Sequence, residues 1–482
     1  MPDASCSLPK PRIEKSKFGF DIHVYNPSGR RRVLSTKPLV GTRWLRALTQ
    51  AACRVEVCQV EAIMKRETIK ALIGDTCHAV IGQITERACE AHDASQRRSP
   101  SLTIPRQRWD DEMFACLSRA GGRSFCNYGV GYDNVDVAAA TRHGVAAGNT
   151  PGVQSDTVAE LTVGLTLAAA RRFREAERTV LAPSFDGPLP SMLNGKQLRG
   201  GTLGLVGAGK IGAAYARMMA RGMGMSVLYH GSRPNEELER QLRTTDAYLR
   251  SVGEPGIAVR RCEELAELLE SADVVTLCCA YSPERRHLID RAALARMKPD
   301  AVLVNIARGA LVDEAALVER LQDFPDFRAG LDVFEHEPKL HPGLRTCLNA
   351  VILPHIGAAS VWTRSAMAAG WLGIKDAEAL LKEAADEEPE TLRPPGMGLG
   401  ATFISHNLGS IMSTKAGQRL ETKVKSTLAR SRKSDMEAAT GVAEAEEEGS
   451  RASAFASRPR AGSMLNKDSL FAKVDRKKKR KR

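Results

Sequence analysis

Apolar and polar residues begin to alternate at Ile22-His-Val-Tyr25, and the turn-forming Asn26-Pro-Ser-Gly29 follows. A helix-like run over 42–52 leads into a strand over 53–60, and a helical run over 66–73 leads into another strand over 79–84. Strands separated by helices predict a parallel sheet. Over 87–108 the pattern gives way to Ser, Arg, Pro and Gln, the composition of a surface insertion that cannot bury a core. Periodicity returns with a helix over 110–119, the strand-like Ser124-Phe-Cys-Asn, a helix over 137–143 and a long amphipathic helix over 156–172 that carries the chain out of the first domain. Pro183, Pro188 and Pro190 mark a connector. Six further apolar runs, 201–206, 226–229, 273–277, 301–305, 328–332 and 350–353, with helices between them, predict a second wound domain.

After Trp362 a helical run to about residue 381 can return to pack on the first domain. Beyond 388 come Pro-Pro-Gly, Ser and Gly stretches, an acidic run over 444–448 and Arg476-Lys-Lys-Lys-Arg-Lys-Arg482, which together predict a disordered basic tail. The expected fold class is α/β: two Rossmann-like, doubly wound parallel-sheet domains with a cleft between them, then the tail. Residues 20–150 and 355–385 form the substrate domain, 151–354 the dinucleotide domain and 386–482 the tail.

Composition changes this picture little. With 43% hydrophobic and 26% charged residues the 482-residue chain has the make-up of a globular protein with a large core. No apolar run approaches the roughly 18–20 residues that span a bilayer, and the first twenty residues lack the apolar centre of a signal peptide, so a soluble intracellular protein without a membrane partner is expected. The eleven cysteines include no Cys-x-x-Cys pair and read as reduced thiols rather than a metal site. The net charge of +13 suggests nucleic acid until it is located: residues 393–482 hold 20 Lys and Arg against 9 Asp and Glu, leaving +2 for everything before. The excess belongs to the tail, and a nucleic-acid partner is not expected.

Candidate chemistry begins at Gly207-Ala-Gly209-Lys210-Ile211-Gly212, set between the strand-like 203–206 and an Ala/Met-rich helix. In this context Gly207 allows a tight turn, Gly209 admits a pyrophosphate against bare backbone, Gly212 lets helix pack on strand, and the helix N-terminus offers N–H groups to phosphate. Arg308, Glu337 and His355 each fall just beyond the end of a later strand, where ligands bind in open parallel sheets. A guanidinium grips a keto-acid carboxylate, an imidazole exchanges a proton with the carbonyl oxygen, and a carboxylate orients that imidazole and raises its pKa. Alone, each has a structural reading as surface charge, loop former or packed turn. Their shared position favours a site.

The chain resembles the D-isomer-specific 2-hydroxyacid dehydrogenase family, in its plant-type hydroxypyruvate reductase (glycerate dehydrogenase) branch. The resemblance runs over about 20–364 and rests on Val24-Tyr-Asn-Pro-Ser-Gly, Val80-Ile-Gly-Gln-Ile-Thr-Glu, Gly148-Asn-Thr-Pro-Gly-Val, Gly330-Leu-Asp-Val-Phe-Glu and Trp362-Thr-Arg. It implies His355 as general acid, Glu337 as its partner and Arg308 as substrate anchor. It further implies Val130 and Gly131 as the backbone that receives the substrate carboxylate, Gln83, Ile84 and Trp362 as pocket lining, Asp332 beside the nicotinamide carboxamide, Thr157 among the cofactor contacts, and a homodimer built on 149–200. The implied reaction is the NAD(P)H-dependent reduction of hydroxypyruvate to D-glycerate, and of glyoxylate to glycolate, weakening as pH rises and His355 loses its proton.

Three departures qualify the likeness. Where an Asp for the ribose 2′-hydroxyl is usual, this chain has Gly231-Ser232-Arg233, which removes a carboxylate and supplies a hydroxyl and a cation, so NADPH use is expected. Leu277-Cys278-Cys279 stands where His-Pro is usual. The peroxisomal C-terminal tripeptide of the plant enzymes is replaced by Arg480-Lys-Arg482, which leaves cytoplasmic and organellar locations open. The alternative function is a dinucleotide-sensing transcriptional corepressor or scaffold of the same fold.

Overall fold

The computed structural model describes residues 8, 10–83, 109–370 and 402–403. The expected 87–108 insertion, Ile84, the return segment past 370 and, apart from 402–403, the tail lie outside the described residues.

The first sheet contains β1 (Arg12–Lys15), β2 (Asp21–Tyr25), β3 (Arg31–Ser35), β4 (Cys53–Gln59), β5 (Ala79–Gln83), β6 (Ser124–Tyr128) and β7 (Ala146–Asn149). The second contains β8 (Thr202–Val206), β9 (Ser226–His230), β10 (Val259–Arg261), β11 (Val274–Leu277), β12 (Val302–Asn305), β13 (Arg328–Leu331) and β14 (Ala350–Ile352); β15 (Thr402–Phe403) joins the first sheet beside β7. In the first sheet β4-β3-β5-β6-β7 form a parallel block, while β1, β2 and β15 pair antiparallel at its edges. The purely parallel expectation is thus modified at the rim.

β3 is an addition to the expected strands. Its Val33 and Leu34 are consecutive and both buried, the pattern of a strand covered on both faces, and the flanking arginines hide it from an alternation search. The Asn26–Gly29 turn forms, with Gly29 N–H donating to Asn26 O, yet it closes no hairpin, because β4 lies between β2 and β3.

The second sheet is parallel throughout, in the order β10-β9-β8-β11-β12-β13-β14. Successive residues of its strands feed opposite faces. Val302 and Val304 join the core under the helices Ser155–Ala170, Lys210–Met223 and Glu236–Ser251, while Leu303 joins the core under Leu265–Ser271, Arg291–Arg296 and Glu314–Asp323. Asn235, Asp290 and Asp313 cap three of these helices by accepting N–H groups three residues on, which fixes where each begins. β1, β7, β10 and β15 are further additions: β15 falls within the expected tail, and β10 has only three residues, two of them Arg.

Two helices join the sheets. Ser155–Ala170 leaves the first and packs on the second, with the Thr166 and Tyr215 hydroxyls 2.8 Å apart. Val361–Ala369 leaves the second and returns to the first, where Ala366, Met367 and Ala368 share a core with Trp44, Val55 and Tyr128, and the Tyr128 hydroxyl donates to Arg364 O. Among the described residues, no helix is long and apolar enough to cross a membrane, and no group of His, Cys, Asp and Glu could hold a metal ion.

Candidate active site

Chain order reverses direction between β8 and β11, and the glycine loop sits at that switch point, where open α/β sheets bind ligands. Gly207 has φ +100°, and a Cβ there would stand 2.7 Å from the Cys279 backbone; a Cβ at Gly212 would stand 2.3 Å from Gly207 O. Both are fixed as glycine by the packing of the loop itself. Gly209 differs. It is the N-cap of the 14-residue helix Lys210–Met223 and has open space where its Cβ would be. The exposed N–H groups and dipole of this helix start fit a pyrophosphate. Lys210 is exposed and points its Nζ toward Gly152 of the first sheet's exit loop, Ile211 is half-buried, and the Thr157 hydroxyl meets that of Thr363 at 2.6 Å. Burial raises the thiol pKa values of Cys278 and Cys279, so both stay neutral.

Past β9, Gly231 is half-buried while Ser232 and Arg233 are exposed. Asn235 ties this turn to the glycine loop through Ala208 O at 2.7 Å. Arg261, at the end of β10, donates to Gly231 O at 3.0 Å, bringing a second guanidinium to the same corner.

Arg308, Glu337 and His355 follow three neighbouring parallel strands, β12, β13 and β14. At about 4.8 Å per strand, the outer two lie roughly 10 Å apart, the span of a small keto acid with its contacts. Asn305 shapes the first turn: its amide donates to Arg308 O and its carbonyl accepts from Ala307 N–H. The Arg308 Nε donates to Asp133 at 3.0 Å, and a Cβ at Gly131 would stand 1.4 Å from Arg308 Nη2, so only glycine admits the guanidinium there. His355 Nδ1 lies 3.0 Å from Glu337 Oε2; since a carboxylate only accepts, the proton sits on Nδ1 and Nε2 is left for a ligand. The other Glu337 oxygen accepts from Phe334 N–H at 3.0 Å.

His355 has φ +58°, an uncommon backbone for a residue with a Cβ, at a cost of about 1 kcal/mol. Asp332 offsets it. One of its oxygens accepts from Ile356 N–H and the other from Gly357 N–H, both at 2.8 Å, which locks the turn that presents the imidazole. Burial raises the Asp332 carboxyl pKa against the pull of those two N–H groups.

On the facing sheet, Gln83 ends β5, and its Nε2 is buried without a partner among the described residues. The Val130 and Gly131 carbonyls accept from the amides of Asn149 and Asn127. Trp362 is half-buried at the start of the return helix, packed on the core around Trp44 and Met367. Sequence reasoning missed Asp133, which meets Arg308 from 175 positions away, as well as Arg261 and the buried Glu314. For Asp133, its place beside the Val130-Gly131 segment was the available signal.

A doubly wound sheet with an open glycine-capped helix start at its switch point, beside an oriented imidazole and a guanidinium, defines a two-domain dinucleotide-dependent oxidoreductase. Residues 163–357 match the family model described as D-isomer specific 2-hydroxyacid dehydrogenase, NAD binding domain. The chain is 46% identical over 348 residues to glycerate dehydrogenase of Cucumis sativus, covering 72% of this chain and 86% of that protein, and 44% identical over 348 residues to peroxisomal glycerate dehydrogenase HPR of Arabidopsis thaliana, covering 72% and 85%. Among solved structures it resembles the NADPH-dependent glyoxylate/hydroxypyruvate reductase of Sinorhizobium meliloti in complex with NADP and malonate, with TM-score 0.53, 27% identity, and coverage of 75% of this chain and 96% of that one. The chain belongs to the D-isomer specific 2-hydroxyacid dehydrogenase family.

Proposed function

We propose that the protein reduces hydroxypyruvate to D-glycerate, and glyoxylate to glycolate, using NADPH at least as well as NADH. The observation that carries this reading is the 3.0 Å His355–Glu337 pair, one strand beyond which Arg308 lies against Gly131. Arg308 binds the substrate carboxylate with the Val130-Gly131 backbone, through charge-assisted hydrogen bonds. His355 Nε2 donates a proton to the carbonyl oxygen, and Glu337 holds the ring through Nδ1. When bound, the nicotinamide ring supplies the hydride that turns the keto carbon into the alcohol. Gly209, Lys210, Ile211 and the helix start would hold the pyrophosphate, and Thr157, whose hydroxyl meets that of Thr363, is assigned to the cofactor contacts by the resemblance alone. The names of the plant relatives and of the Sinorhizobium neighbour support the substrate class.

Preference for NADPH rests on Ser232 and Arg233 past β9, a hydroxyl and a guanidinium suited to a 2′-phosphate; the neighbouring Arg261 is held by Gly231 O and the Glu263 carboxylate. The reading includes a homodimer, for which the exposed Phe173, Val180, Leu181 and Leu189 of the connector region supply an apolar face. Spectrophotometric kcat/KM values for hydroxypyruvate and glyoxylate, each with NADPH and NADH, test it. Turnover with an NADPH advantage supports the proposal; a strong NADH preference removes the cofactor claim; retained dinucleotide binding without turnover favours the scaffold.

A further inference from the structure

One buried carboxyl near the site is left without a task by the reaction. Glu314, in the first turn of the helix Glu314–Asp323, is 4% exposed. Its Oε1 accepts from Glu335 N–H at 2.6 Å. The preceding N–H, that of Phe334, donates to Glu337 Oε1. Two successive peptide N–H groups are thus divided between two carboxyl groups, one buried in the wall and one facing His355. The Glu335 side chain points elsewhere, to Arg286 at 2.8 Å and His287 at 2.7 Å. Gly309, next to Arg308, lies so close to this stretch that a Cβ would stand 1.8 Å from Phe334 C, which lets the 334–335 backbone settle against the substrate-anchoring turn.

Burial pushes the Glu314 carboxyl up to about 7; the Glu335 N–H opposes the rise, and the Glu335 and Glu337 charges add to it. An apolar residue would pack the start of this helix at lower cost, so the carboxyl is held for its hydrogen bond. We propose that Glu314 is a positioning residue for the proton-transferring pair: it fixes the Phe334–Glu335 backbone, and through Phe334 N–H it fixes the Glu337 carboxylate that orients His355. The proposal rests on the reductase reading above.

Two substitutions separate reach from charge. Glu314→Gln keeps an oxygen at the same reach without charge, whereas Glu314→Asp keeps the charge and withdraws it by one methylene. The full-length variants are to be compared with wild type for hydroxypyruvate reduction, for NADPH binding by fluorescence, and for the primary deuterium isotope effect on kcat with dinucleotide deuterated at the transferred position. The expected result is a fall in kcat of about tenfold for Glu314→Asp, as a misdirected ring slows the chemical step. Its isotope effect should rise, with KM for hydroxypyruvate and Kd for NADPH within about twofold of wild type; Glu314→Gln should stay within about threefold of wild-type kcat. Wild-type kcat in Glu314→Asp, an equal loss in Glu314→Gln, or an unchanged isotope effect in a slowed variant overturns the proposal. A wild-type protein that turns over no keto acid instead overturns the reductase reading.

Discussion

The two sheets share a wound parallel architecture but carry different chemistry at their carboxyl ends. On the second sheet, β12, β13 and β14 lead directly to Arg308, Glu337 and His355, three ionisable side chains oriented by neighbours. On the first, β5 and β6 lead to Gln83, Val130 and Gly131, an amide and bare backbone. Asp133, after β6, reaches across to Arg308. In the proposed reaction the reacting groups thus stand on the same sheet as the glycine loop, and their spacing from it is set by neighbouring parallel strands. In the proposed reaction the other sheet contributes the Gln83 amide and the Val130-Gly131 backbone.

This division ranks the consequences of breaking it. Replacing the proton donor costs most: His355→Ala should lower kcat for hydroxypyruvate about a thousandfold while NADPH still quenches or enhances fluorescence with its wild-type Kd. Arg308→Lys keeps charge but loses the fork held by Asp133 against Gly131, and kcat/KM should fall about a hundredfold, mostly through KM in steady-state assays with hydroxypyruvate. On the recognition side the effect is smaller and has two signs. Gln83 Nε2 is buried without a partner among the described residues, so Gln83→Leu should raise the Tm in calorimetry while lowering kcat/KM about tenfold. If that variant lost stability as well, Gln83 would be a structural residue.

The smallest effect concerns pH. Glu314 has its folded-state pKa raised from 4.5 to about 7, so wild type must give up a buried proton as pH rises through that window, and the stability tied to the neutral form is lost there. Glu314→Gln carries no such proton. Its Tm relative to wild type should therefore climb by a few degrees, roughly, between pH 5 and pH 8 in parallel melts, whereas a flat difference would place the carboxyl in a more polar setting.

How much of this was legible in the chain depended on distance along it. The glycine loop was readable because strand, turn and helix are contiguous, and His355, Glu337 and Arg308 because each directly follows an apolar run. β3 was hidden by its arginines and by cover on both faces, which replaces alternation with adjacent buried residues. β1 and β2 pair antiparallel, an arrangement that nothing local in their residues distinguishes from a parallel one. Contacts formed by folding were out of reach: Asp133 with Arg308, Glu314 with Glu335, and Asp332 with the backbone after His355 join residues 175, 21 and 24 positions apart or more. Asp332 illustrates the limit, since both its oxygens hold the His355 turn, a task that its place in a family motif did not suggest.

The central claim is that imidazole and guanidinium close on one keto acid from neighbouring strand ends. A crystal structure of the protein with its dinucleotide and a non-reducible analogue such as oxamate addresses it directly. The account predicts the analogue's carboxylate on the Arg308 guanidinium and the Gly131 N–H, with its carbonyl oxygen about 3 Å from His355 Nε2. An analogue bound with its carboxylate away from Arg308, or with the imidazole turned from the carbonyl, would contradict it.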